Sequence, residues 1–184
     1  MILCRVMSKR VRLKDGRGSI VRLFTAEDKE KVVEMFSSMS KSALEWAMPP
    51  YTKERLERGW WSRIQDLIAL VAEDKDRIVG YAQISKSSQP RLRGVGELLI
   101  YLHQEFHNVG LGTAMTKYLI ELAEKENLHR IGLSVVADNK IAIHVYEKMG
   151  FKIEGICKDS YFGDDGKYHD TVYMGLILAN AKTS

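Results

Sequence analysis

The chain has 184 residues, 45% of them hydrophobic and 28% charged, which is enough to bury a core without metal or disulfide staples. Its net charge of +4 comes from 28 basic and 24 acidic residues, a balance that mildly favours anionic ligands but does not indicate binding to nucleic acid. Cys4 and Cys157 lack metal-ligand spacing, and no apolar run reaches the roughly 20 residues that span a bilayer. We therefore expect a soluble, cytoplasmic protein with no membrane or nucleic-acid partner.

The N-terminal part of the sequence predicts a hairpin followed by two helices. Alternating residues over 10–24, interrupted by the turn residues 15–18, are typical of a β-hairpin. Thr25, followed by two acidic residues, suits the start of a helix, and the apolar spacing over 32–39 continues it. A second helix is predicted over 53–65, because steps of four residues place three apolar side chains on one face. These side chains are Leu56, Trp60 and Ile64.

Strands and helices alternate in the remainder of the sequence. The apolar spacing predicts helices over 110–127 and 139–149. A strand on each side of the first of these helices implies one parallel pair, whereas strands that pair locally are antiparallel. We therefore expect an α/β fold with a mixed, mostly antiparallel central sheet flanked by helices. It forms a single domain over 1–184, with the hairpin at about 10–24 and the core at about 25–178. The predicted strands after the hairpin are 67–73, 78–85, 94–103, 131–137, 151–156 and 168–178.

The stretch from His107 to Thr113 has the chemistry of an anion site. It follows the apolar run 98–102 and opens the predicted helix over 110–127. The first backbone N–H groups of a helix have no intrahelical partner, and the helix dipole favours negative charge there. Glycine at 110 and 112 lets the backbone approach phosphate oxygens without an intervening Cβ. The stretch therefore predicts a phosphorylated cofactor.

Three stretches of the sequence resemble the GNAT family of acetyl-CoA-dependent N-acetyltransferases. Residues 97–103, which run into 107–112, resemble the family's fourth strand and its Q/R-x-x-G-x-G/A pyrophosphate loop. Residues 139–151 are similar to the family segment N-x-x-A-x-x-x-Y-E-K-x-G-F. Residues 166–170, with Met174, are similar to the last strand of several amine acetyltransferases. The resemblance implies the GNAT fold, with acetyl-CoA as cosubstrate.

The resemblance also assigns residues to the coenzyme, with one departure from the family pattern. His107 stands where the family usually has Gln or Arg, and Asn108 where Gly is common. The main-chain cradle survives this change, but a long side-chain donor to the pyrophosphate is lost. We therefore expect the affinity for coenzyme A to be lower or to be set elsewhere. The residues that the resemblance assigns to the coenzyme are Ile100, Leu102, His107, Asn108, Val109, Gly110, Leu111, Gly112, Thr113, Asn139 and Tyr146.

For the chemistry, the resemblance implies direct attack of a primary amine in a ternary complex. Tyr146 becomes the acid beside the departing thiol, although an aromatic side chain in a helix also serves as core packing. Glu97 becomes the base that receives the amine proton, and Asp170 is its rival. Alternatively, Glu97 is a strand-end carboxylate in solvent, paired with an arginine. Glu45 and Trp46 lie in the segment that covers the acceptor cleft in the family, and with Asp170 they are the candidate substrate-binding residues.

The acceptor amine and the partners stay open at this stage. A protein N-terminus or lysine, an amino acid, a polyamine and a drug-like amine all fit the motifs. A non-catalytic coenzyme A sensor or interaction module with the same fold is the alternative function. A homodimer formed through an edge strand is compatible with the sequence, but no sequence pattern indicates one. The histidines show no ligand spacing, so no metal is expected. They are His103, His107, His129, His144 and His169.

Overall fold

The computed structural model describes residues 8–178, so Cys4 lies outside the described residues. Its centre is one eight-stranded sheet in the spatial order β1-β2-β3-β4-β5-β6-β8-β7. The sheet runs antiparallel throughout except at the pair β5–β6, which is parallel. The predicted mixed, mostly antiparallel sheet is thereby confirmed. The strands are β1 (Lys9–Arg12), β2 (Gly18–Leu23), β3 (Leu67–Asp74), β4 (Arg77–Lys86), β5 (Val95–Leu102), β6 (Arg130–Val136), β7 (Lys152–Phe162) and β8 (Tyr168–Ile177).

Four helices cover the two faces of this sheet. Helices α3 and α4 share one apolar cluster with the sheet, in which Leu111, Met115 and Leu119 are completely buried. Helices α1 and α2 pack on the opposite face, around Val32 and Tyr81. Within residues 8–178, no helix combines the length and the apolar composition needed to cross a bilayer. The helices are α1 (Lys29–Ser37), α2 (Lys53–Arg58), α3 (Leu111–Lys125) and α4 (Lys140–Lys148).

The predicted second helix is wrong beyond its first half. Helix α2 ends at Arg58, because Gly59 adopts the non-helical angles φ −94° and ψ −96°. The chain then turns so that Trp61, rather than Trp60, is buried, and its indole N–H donates to the Tyr81 hydroxyl at 3.1 Å. Ile64 is exposed instead of sharing a buried face. The seventh strand is also longer than predicted, since it continues from 156 to Phe162.

The parallel pair β5–β6 is short and then opens. Only Val95, Gly96 and Glu97 pair with β6, and no β6 residue pairs with β5 beyond Glu97. On its other side β5 stays paired with β4 as far as Leu102, with no shift of register. The separation of β5 from β6 thus begins directly after Glu97. The sheet thus contains a wedge-shaped opening along the second half of β5.

A cluster of charges joins the hairpin to the first helix. The guanidinium of Arg22 donates to both carboxylate oxygens of Asp28, at 2.7 and 2.8 Å, and to Glu73 at 2.6 Å. Asp28 also accepts from the backbone N–H of Thr25 at 2.8 Å, which fixes the first turn before α1. Burial raises the pKa of Asp28, but the hydrogen bonds from Arg22 and Thr25 outweigh it and leave the pKa below its ordinary value.

We expect Asp28→Asn to lower the free energy of unfolding by about 3 kcal/mol, because it leaves Arg22 buried with one carboxylate fewer. A lowered native pKa stabilises the fold above the unfolded-state pKa of about 3.9, and this contribution disappears as the pH falls through the native value. The variant should therefore lose less stability than the wild type on acidification. Urea unfolding between pH 7 and pH 3 measures both effects. Asp76→Asn, at an exposed turn, is the control; equal losses in the two variants would contradict the assignment.

Candidate functional site

The opening between β5 and β6 is bordered on one side by the start of α3. The side chains of Ile100 and Leu102 point to the face that carries α3, and a Cβ placed on Gly112 would meet Leu102 Cδ1 at 3.1 Å and Ile100 Cδ1 at 3.9 Å. Glycine at 112 therefore lets the first turn of α3 lie directly against β5. This contact brings the end of the strand and the beginning of the helix to one edge of the opening.

The loop before α3 forms the predicted anion cradle. Asn108 and Gly110 both adopt positive φ angles, 60° and 90°, and Gly110 caps α3 without a side-chain hydrogen bond. The first helical hydrogen bond runs from the Ala114 N–H to the Gly110 carbonyl, at 3.1 Å. Within residues 8–178, the backbone N–H groups of 108–113 have no hydrogen-bond acceptor. These N–H groups and the positive end of the helix dipole are the features that bind phosphate.

His107 turns away from the cradle. Its Nε2 lies 2.9 Å from the Leu102 carbonyl oxygen, and because a carbonyl can only accept, Nε2 carries the proton and donates. The imidazole thus binds the last carbonyl of β5 and does not extend along the loop. The side chain at this position is therefore no substitute for the long Gln or Arg donor.

Helix α4 lies on the same face of the sheet as α3 and contributes Asn139 and Tyr146. The Asn139 side chain accepts from the Ala142 N–H at 3.2 Å, so it caps the helix. The ring of Tyr146 contacts Phe151, with a centroid separation of 5.8 Å. Within residues 8–178 no hydrogen bond engages its hydroxyl, and burial raises its pKa to about 12. Tyr146 thus offers a protonated phenol with a free donor.

Three further tyrosines surround the opening, and none of them was predicted from the sequence. They are Tyr51, Tyr101 and Tyr161. Tyr101 lies on the opposite face of β5 and accepts a hydrogen bond from the Tyr51 hydroxyl at 2.9 Å. Its pKa is raised first by burial and then by the neighbouring hydroxyls of Tyr51, Tyr146 and Tyr161. The hydroxyl of Tyr146, on α4, is therefore close enough to affect the pKa of Tyr101, which lies on the opposite face of the sheet. In the sequence, only the alternation of side chains along β5 could have indicated that Tyr101 points to the face opposite Ile100 and Leu102.

The segment between α1 and α2 is held at this opening by the last hairpin. The Tyr161 hydroxyl lies 2.9 Å from the carbonyl oxygens of both Glu45 and Ala47. The half-buried Trp46 ring lies between the rings of Tyr161 and His169, at centroid distances of 6.2 and 5.3 Å. The carboxylate of Glu45 is exposed. Trp46 therefore belongs to the wall of the opening, whereas Glu45 lies at its rim.

His169 connects this wall to α4. Its Nδ1 lies 2.7 Å from Asp138, the residue before the Asn139 cap, and its Nε2 lies 3.0 Å from Asp165 in the β7–β8 turn. The hydrogen bonds to Asp165 and then to Asp138 raise the pKa of His169, because both favour the imidazolium. Sequence patterns could not indicate this arrangement, since Asp138 is 31 positions away. Asp165 is therefore hydrogen-bonded to a histidine rather than left for a cationic ligand.

The two candidate bases occupy different environments. Asp170 accepts from the Lys158 ammonium at 2.7 Å and from the Asp159 N–H at 3.1 Å, across the irregular part of β7. The hydrogen bond from Lys158 lowers the pKa of Asp170, which weakens it as a base. Glu97 is exposed at the narrow end of the opening, opposite Gly132, and takes part in none of the ion pairs found within residues 8–178. The suggested arginine partners of Glu97 are therefore not bound to it.

The candidate residues thus fall into two groups. The cradle, the two β5 side chains, Tyr146 and Trp46 surround one opening, with Glu97 at its narrow end. Asp170 is held on the outer hairpin by Lys158, and Glu45 reaches the opening only through its carbonyl. Among residues 8–178, no three His, Cys, Asp or Glu side chains converge so that they could hold a metal ion.

Comparison with known proteins identifies the family. Residues 32–151 match the acetyltransferase (GNAT) family. L-amino acid N-acetyltransferase AaaT of Escherichia coli (strain K12) is 34% identical over 115 residues, 62% of this chain and 68% of that protein. The ribosomal protein bS18-alanine N-acetyltransferase of the same strain is 34% identical over 80 residues, 44% of this chain and 53% of that protein.

The fold agrees with this match. A phosphinothricin acetyltransferase (Pat) from Sinorhizobium meliloti, solved in complex with AcCoA, superposes with a TM-score of 0.78 at 20% identity. The superposition covers 90% of this chain and 91% of that one. The family resemblance, the fold and the prediction of an N-acetyltransferase are therefore confirmed. Because the family match spans most of its length, the chain belongs to the acetyltransferase (GNAT) family.

Proposed function

We propose that this protein transfers the acetyl group of acetyl-CoA to a primary amine by direct attack within a ternary complex. The observation that carries the proposal is the opening between β5 and β6, which has an anion cradle at one edge and a free phenol at the other. The acceptor is a protein N-terminus or lysine, or a small amine. The two relatives described above act on an L-amino acid and on the alanine of a ribosomal protein, as their names state.

The residues around the cradle fit a coenzyme A pyrophosphate. Its main-chain N–H groups have no acceptor within the described residues 8–178, and glycine at 110 and 112 leaves room for phosphate oxygens. When bound there, the coenzyme supplies the activated acetyl thioester. In our proposal the backbone of Ile100 and Leu102 binds the pantetheine arm as an added strand, because β6 does not pair with this part of β5. Asn139, at the start of α4, lies beside the same arm.

Tyr146 acts on the sulfur of the leaving thiol. A pKa of about 12 keeps its proton in place at every physiological pH. Complete transfer of that proton to a thiolate whose conjugate acid has a pKa near 8.5 is uphill by about 5 kcal/mol. The hydroxyl therefore contributes mainly by donating a hydrogen bond to the sulfur as negative charge develops there.

Glu97 receives the amine proton, directly or through water. It is exposed and has no ion-pair partner in residues 8–178, so it is available as an acceptor. Asp170 is a weaker candidate, because Lys158 and the Asp159 N–H already bind its carboxylate. Trp46 forms the apolar wall against which the acceptor packs, and Glu45 lies at the rim. We also propose that the chain acts as one domain in the cytoplasm, where the exposed Cys157 thiol stays reduced; a homodimer stays a prediction.

Incubation of the protein with acetyl-CoA and a panel of amines tests the proposal. The panel contains L-amino acids, polyamines and peptides with an N-terminal alanine, and released thiol is the readout. We expect turnover with at least one amine, and a decrease in kcat of about 10²-fold in Tyr146→Phe with little change in the KM for acetyl-CoA.

The matched control for that variant is Tyr168→Phe, which removes an exposed phenol from the last strand. Binding of acetyl-CoA without thiol release from any amine would instead support the non-catalytic sensor. Unchanged turnover in Tyr146→Phe would remove this hydroxyl from the mechanism.

The pH dependence of kcat/KM separates the two carboxylates. Glu97→Gln should lower kcat/KM by about 10²-fold and abolish the acidic limb of the profile, because the general base is lost. Asp170→Asn should leave that limb in place, since Lys158 already binds the carboxylate. The reverse result, with an unchanged profile in Glu97→Gln and a shifted one in Asp170→Asn, would assign the base to Asp170.

A further inference from the structure

The turn of the first hairpin packs against the anion cradle. The backbone N–H of Lys14 donates to the Val109 carbonyl at 3.0 Å. The guanidinium of Arg17 donates to the Glu105 carbonyl at 2.6 Å and lies 4.1 Å from the centre of the Phe106 ring. These contacts attach the hairpin to the segment between β5 and α3 at three points. The turn between β1 and β2 is therefore part of the wall of the cradle.

The side chain of Lys14 crosses the cradle at Gly110. A Cβ placed on Gly110 would lie 3.8 Å from both Cγ and Cε of Lys14. Because Nζ is bonded to Cε, the ammonium lies within a few ångströms of the residue that caps α3. No hydrogen bond or ion pair of residues 8–178 engages this ammonium, and the side chain is exposed.

Two other cations of the hairpin, Lys9 and Arg17, are already engaged. Lys9 is paired with Glu121, and Arg17 with Asp15 in addition to its contacts on the loop. The first turn of α3 contains no charged side chain, so main-chain N–H groups supply hydrogen bonds to an anion but no full positive charge. His107, where the family has a long donor, is turned toward the Leu102 carbonyl. The Lys14 ammonium is thus a cation beside the cradle that no acid of residues 8–178 engages.

We propose that Lys14 binds the pyrophosphate of acetyl-CoA and so replaces the long donor that His107 does not provide. The inference rests on the proposed function, because it takes acetyl-CoA as the ligand of the cradle. The ammonium reaches the phosphate oxygens from the hairpin side, while the N–H groups of 108–113 reach them from the helix side. A charge-assisted contact of this kind is stronger than a neutral hydrogen bond.

Binding of three probes by purified variants tests this role. The probes are coenzyme A, 3′-dephospho-coenzyme A, which keeps the pyrophosphate, and pantetheine, which lacks it. We expect Lys14→Ala to raise the Kd of the first two probes by about tenfold, since a hydrogen bond to a charged group contributes about 1.5 kcal/mol or more. The Kd of pantetheine should not change. Lys14→Arg should retain most of the affinity, and added salt should reduce the difference between Lys14→Ala and the wild type.

Arg12→Ala is the matched control, because it removes an exposed cation from the same hairpin without touching the cradle. Thermal unfolding of each variant verifies that it is folded. An equal loss in Arg12→Ala, or a loss in Lys14→Ala for coenzyme A but not for its 3′-dephospho form, would overturn the assignment to the pyrophosphate. Wild-type affinity in Lys14→Ala would overturn it outright. Failure of the wild type to bind any probe would overturn the proposed function itself, and this inference with it.

Discussion

The site depends on one constraint, which is the early end of the parallel pair β5–β6. Three residues of β5 pair with β6, and at the middle one the packing is tight: a Cβ on Gly96 would lie 2.5 Å from Ile84 and 2.9 Å from Leu128. The narrow end is therefore tightly packed, and β5 and β6 separate only beyond it. Backbone groups of β5 that would otherwise form a ladder are left for water or for an extended ligand. An arm that carries amide groups is the natural occupant of such a position.

The opening also joins two halves of the molecule that bury separate apolar clusters. One cluster includes α3 and α4, and the other includes α1 and α2 on the opposite face of the sheet. The main-chain N–H groups proposed to bind phosphate thus lie on one side, and Trp46 is held on the hairpin side by Tyr161 and His169. A ligand that reaches from one face to the other would meet Tyr146 and Tyr101 between them. In the proposed function, the sheet therefore separates cofactor binding from acceptor binding, and the two meet at this gap.

Sequence patterns predicted the features that depend on local spacing and missed those that depend on distant partners. The glycines at 110 and 112 indicated the tight approach at the start of α3, because positive φ and close approach are local demands. The apolar spacing through 53–65 was misleading, since Gly59 ends the helix and reorients the two tryptophans. His169 could not be assigned, because its partner Asp138 comes from the turn between β6 and α4, 31 positions away. The position of Lys14 over Gly110 could not be predicted either, because it depends on a contact between two segments almost a hundred residues apart.

The electrostatics of the opening reduce what the general base has to do. Burial raises the pKa of Tyr146 and Tyr101, so both remain neutral and the gap between them carries no formal charge. An ammonium group that enters the same environment is disfavoured relative to the free amine, by the same desolvation that keeps the phenols protonated. In the proposed mechanism the acceptor therefore loses proton affinity as it approaches the thioester. A carboxylate such as Glu97 then needs only to receive a proton at the exposed end of the opening.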